Sequence, residues 1–68
     1  MQVGKLYRFE GARVSMRLYG KIAMYLGEAF IHRSDGVTVE NHTVLVVGES
    51  QPRTIDRSLL ISMTEVTA

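Results

Sequence analysis

Cysteine and tryptophan are absent from this chain, and proline occurs once. Without cysteine there is no disulfide staple and no thiolate metal site. No apolar run approaches the roughly 18 residues needed to cross a bilayer as a helix, so no membrane partner is expected. The opening residues MQVGKLYRFEG carry Lys5, Arg8 and Glu10 where a leader peptide would be apolar. That predicts no signal peptide and a cytoplasmic protein. Sixty-eight residues make one small domain, 1–68, and a chain of this size buries only roughly 60 % of its unfolded surface. With disulfides excluded, self-association is the stabilising device left, and a homodimer or small ring is expected.

The net charge is only +1, but it is unevenly placed. Residues 1–21 hold Lys5, Arg8, Arg13, Arg17 and Lys21 against Glu10 alone, a net of +4; residues 22–68 hold three arginines against six carboxylates, a net of −3. Such asymmetry points to a basic contact surface in the N-terminal third.

Along the chain, Val3–Phe9 is rich in β-formers and reads as a strand with Tyr7 and Phe9 on one face. Ala12–Leu26 is ambiguous. Alternation of Val14, Met16 and Leu18 predicts strands over Val14–Tyr19 and Lys21–Leu26, broken near Gly20. The competing pattern Val14, Leu18, Ile22, Leu26 would make one helix, against which stand the central Gly20 and the lack of a capping residue before Ala12. Asp35-Gly36 signals a hairpin. A three-residue loop Ser34-Asp35-Gly36 sets Ile31 opposite Val39 and Ala29 opposite Asn41, the register that buries the better set. Gly27 is expected to kink the first hairpin strand. Thr43–Val47 reads as a strand covered on both faces, and so short a chain has little left to provide the second cover. Val44 and Val46 are therefore the candidate oligomer interface. Residues 48–53 form a loop around Pro52. Ile55–Leu60 then makes one helical turn opened by Thr54, and Leu59, Ile61 and Met63 alternate as a closing strand. A C-terminal helix is the alternative. The expected fold class is all-β, a small antiparallel barrel, with α+β as the alternative.

The order of opening strand (Gly4-Lys5-Leu6-Tyr7), long excursion, meander with the Asp35-Gly36 turn, and short turn (Thr54–Leu60) before a last strand resembles small SH3-like β-barrels. The style of the sequence also resembles compact accessory proteins of bacteriophages. The likeness covers nearly the whole chain and rests on pattern. Signalling SH3 domains carry a tryptophan, which is missing here, and Tudor-type aromatic cages would have to come from Tyr7, Phe9, Tyr19, Tyr25 and Phe30. The resemblance thus implies architecture more than ligand.

No motif for chemistry emerges. His32 and His42 lie near Asp35 and Glu40, but on the hairpin they sit about four pairs, roughly 13 Å, apart, too far to share one ion. They read as ordinary surface or packed histidines. Ser58 beside Asp56 lacks a nucleophile motif and reads as turn chemistry. The glycines form no phosphate-cradling loop. Met16, Met24 and Met63 read as core fillers. No catalytic residue, metal or cofactor is assigned. The expected function is a non-enzymatic binding module acting on a protein partner. The alternative is nucleic-acid, nucleotide or other anion binding through Lys5, Arg8, Arg13, Arg17, Lys21 and Tyr19, since arginine forks suit phosphates and aromatics stack on bases.

Overall fold

The computed structural model describes residues 1–66. It is an all-β domain: β1 (Leu6–Phe9), β2 (Ile22–His32), β3 (Thr38–Val46), β4 (Arg53–Asp56), a single helical turn α1 (Arg57–Leu60) and β5 (Met63–Glu65). The five strands form one antiparallel sheet in the order β4-β3-β2-β1-β5.

The two edge strands are joined by only six residues, four of them in α1. A flat sheet would hold β4 and β5 roughly 19 Å apart, four strand spacings. A four-residue turn rises only about 6 Å. The sheet therefore curls, drawing its edges together around α1, while no ladder joins β4 to β5 among the described residues. The inward residues of all five strands meet inside this curl: Tyr7 and Phe9, Ala23 and Tyr25, Val44 and Val46, Ile55, and Met63. Phe9, Val44 and Val46 are wholly buried.

The hairpin has the expected register, Ile31 opposite Val39 and Ala29 opposite Asn41. The Arg33 N–H donates to the Val37 carbonyl, and the Gly36 N–H returns to the Arg33 carbonyl at 3.1 Å. Gly36 takes φ +85°, which side-chain-bearing residues resist, and Asp35 accepts from the Val37 N–H at 3.0 Å. The register is thus set by turn chemistry. Burial did not select it, because Ile31 and Phe30 stand exposed. Gly27 marks a β-bulge: the pairing steps from Tyr25–Val44 to Gly27–Thr43, with Leu26 as the extra residue.

Four expectations need correction. Val14–Tyr19 is not a strand, nor is Ala12–Leu26 a helix. Residues 10–21 form a loop of short turns closed at its base by Phe9 and Lys21, with Gly20 N–H donating to the Phe9 carbonyl at 2.7 Å. The four-residue spacing of Val14 and Leu18 was the true signal, but it lasts one turn, enough to seat both in the core. Met16 between them is 96 % exposed rather than a core filler. Second, β4 stands where the sequence shows only loop and turn, because a four-residue strand directly after Pro52 has too little pattern to register. Third, α1 is capped by Asp56, not Thr54, and Leu59 and Ile61 precede the closing strand, which starts at Met63.

The fourth concerns Val44 and Val46. Both lie at 0 % exposure inside the chain's own core, so neither is available to a second copy. The strand is not covered evenly on two sides: Thr43 and Leu45 on the other face are half-buried, and Val47 is exposed.

Candidate functional site

The six candidate anion-binding residues divide into two groups. Lys5 pairs with Glu65 at 3.1 Å and Arg8 with Glu10 at 3.5 Å. Both are thus engaged on or beside β1. Arg13, Arg17 and Lys21 sit exposed on the 10–21 loop, and no carboxylate of the described residues lies within ion-pair distance of them. Tyr19 is 60 % exposed on the same loop. Three free cations, one aromatic and the protruding Met16 therefore share one 12-residue excursion.

The loop is held rather than loose. Val14 and Leu18 pack into the core, and the Glu10 and Gly11 N–H groups both donate to the Ser62 carbonyl, at 3.0 and 3.1 Å. A loop anchored on a rigid sheet is a common way to present contact residues. Against it opens a groove of about 370 Å³ lined by Arg13, Thr54, Ile55, Asp56, Ser58 and Leu59. Asp56 Oδ1 accepts from the Leu59 N–H at 2.9 Å and from the Ser58 hydroxyl at 2.8 Å. These bonds, the backbone one first, hold its carboxyl below the ordinary value. The pair thus shapes a turn, as expected.

A second polar cluster lies inside. His42, 3 % exposed, is the one buried polar side chain among the described residues. Its Nδ1 stands 2.8 Å from the Tyr25 hydroxyl and its Nε2 2.9 Å from Glu40 Oε2. An ionised carboxylate only accepts, so Nε2 donates to Glu40; in the neutral imidazole Nδ1 then accepts from the tyrosine. Burial, then the nearby Glu28 and Glu40 carboxylates, pushes the Tyr25 hydroxyl up. No buried polar side-chain atom of the described residues lacks a partner, which marks the trio as a packed network. His32 is separate and exposed, its Nδ1 3.2 Å from the Thr38 hydroxyl. No three histidine or carboxylate side chains of the described residues gather as a metal site.

Beyond Ala29, where β4 ends its pairing with β3, β2 and β3 continue as a two-stranded arm. An 11-residue strand runs about 36 Å, close to the 41 Å long dimension of the molecule. Phe30, Ile31 and Val37 are exposed on it at 58, 45 and 49 %. The sequence pointed to a hairpin here but not to a surface.

No helix of the described residues is long and apolar enough to cross a membrane. No protein-family model, curated protein or solved structure matches the chain.

Proposed function

We propose that this chain is a non-enzymatic binding module that acts by protein–protein contact, with the 10–21 loop as its contact surface. The observation that carries the reading is the co-display of Arg13, Arg17 and Lys21, which no carboxylate of the described residues pairs, with Met16 and Tyr19 on a loop clamped to the core. Free cations around exposed apolar groups suit an acidic partner surface: the charges steer encounter and the apolar groups supply contact. Strand order, the long excursion after β1 and the short turn before β5 support an SH3-like module. A small accessory protein that modulates a larger factor would work in this way.

Nucleic-acid binding is the second reading, favoured by the same cations beside Tyr19, which is open for base stacking. Co-purification of the tagged chain separates the two. For a protein partner, capture should survive nuclease and fail for Arg13→Glu/Arg17→Glu. If nuclease releases the bound material, and oligonucleotide affinity falls with salt with a slope reduced by about one for each arginine removed, the second reading takes over. Capture that is indifferent to the charge reversal would overturn both.

A further inference from the structure

The two-stranded arm has a free edge. β1 pairs with β2 only at its start, from Ile22 to Met24, and the N-terminal segment ends its own contact where Gly4 N–H donates to the Tyr25 carbonyl. From Glu28 onward β2 pairs, among the described residues, with β3 alone. Because Arg33 directs its N–H to β3, alternation sends the N–H and C=O of Glu28, Phe30 and His32 to the open side. An isolated two-stranded ribbon is marginal in water, and an exposed apolar edge recruits further strands.

We propose that this edge pairs with the same edge of a second copy, antiparallel about a two-fold axis at Phe30. The two-fold sets Phe30 opposite Phe30 and Glu28 opposite His32 at both ends. All three pairs are then of the closely hydrogen-bonded kind, giving six backbone bonds. A register centred on Ile31 would leave Glu28 against the turn at Ser34 and lose two of these bonds. The side chains agree with the first choice. His32 uses Nδ1 toward Thr38, leaving Nε2 to donate to Glu28 of the second copy. Phe30, 58 % exposed in one chain, gains a cross-strand aromatic neighbour. On the opposite face Ile31 meets Ala29. The edge is thus self-complementary in hydrogen bonding, charge and apolar contact, as an isologous interface requires. It lies away from the 10–21 loop, so one chain can hold a second copy and another partner together.

The chain's lack of cysteine allows a direct test. Facing Cα atoms in such a pair lie about 5.5 Å apart, within disulfide reach. Mild oxidation of Phe30→Cys should give a covalent dimer, and Val47→Cys, exposed but remote in register, should not. Sedimentation equilibrium of the unmodified chain up to millimolar concentration should show a monomer–dimer equilibrium, abolished in Phe30→Lys with its circular dichroism unchanged and retained in Arg13→Glu/Arg17→Glu. A monomer throughout would overturn the proposal. So would a dimer that persists in Phe30→Lys without the position-30 cross-link.

Discussion

Of the six glycines Gly11 has the closest neighbour, and Gly11→Ala tests the packing there. A Cβ placed there would stand 2.5 Å from both Cβ and Oγ of Ser62 and 3.1 Å from its Cα. Carbon contacts ordinarily lie near 3.5–4.0 Å, so about 1 Å must be found. Neither side yields readily, because Glu10 and Gly11 both hydrogen-bond the Ser62 carbonyl. The Cβ–Cβ clash sits between backbone-fixed atoms, so turning the Ser62 hydroxyl away offers no escape. Overpacking of this kind costs about 1–3 kcal/mol. Against a total stability of roughly 3–10 kcal/mol for a chain this size, the loss is large. A cost of about 2 kcal/mol lowers Tm by roughly 8–16 °C, readable by thermal unfolding in far-UV circular dichroism. Adding Ser62→Gly removes the Cβ and Oγ and should recover part of the loss, leaving a favourable coupling in the double-mutant cycle. Gly11 has no positive φ, so without the clash alanine would stabilise the chain by about 0.4–1 kcal/mol through the unfolded state. A rise in Tm for Gly11→Ala, or no coupling to Ser62→Gly, would refute the close approach.

Other outcomes follow from the polar groups. Tyr25→Phe leaves His42 Nδ1 buried without a donor and should cost about 1–3 kcal/mol by chemical denaturation; no loss would mean that water reaches the ring. The Asp56 carboxyl is held below its ordinary value of 3.8 in the folded chain. Its stabilisation is therefore whole above that value and is lost as pH falls through the lower, folded one. The Tm gap between the unmodified chain and Asp56→Ala should be full near neutrality and close in acid, and a gap that is constant with pH would remove the charged cap from the account.

The sequence made the hairpin and the bulge legible because their chemistry is local: Asp35-Gly36 dictates the turn, and Gly27 tolerates the break. It misjudged Val44 and Val46 because alternation does not reveal how far a sheet curls. A six-residue link between distant edge strands forces that curl, and so one face receives the whole core. The 10–21 loop was half legible. The basic residues of the N-terminal third could be counted, but that Lys5 is engaged depends on Glu65, which reaches it only once β1 and β5 pair, whereas Arg8 meets Glu10 two residues along the chain. The exposure of Phe30 was hidden for a similar reason: an apolar residue on a strand signals burial until β1 is seen to stop short of it.

The claim that the 10–21 loop is the contact surface is tested most directly by scanning photo-cross-linking. A photoreactive residue is placed in turn at Met16, Tyr19, Ile61 and Val47, all exposed, and adducts are collected after nuclease treatment. The account predicts a protein adduct from positions 16 and 19, lost on Arg13→Glu/Arg17→Glu, and none from 61 or 47. Adducts at 61 or 47 with silence at 16 and 19 would contradict it.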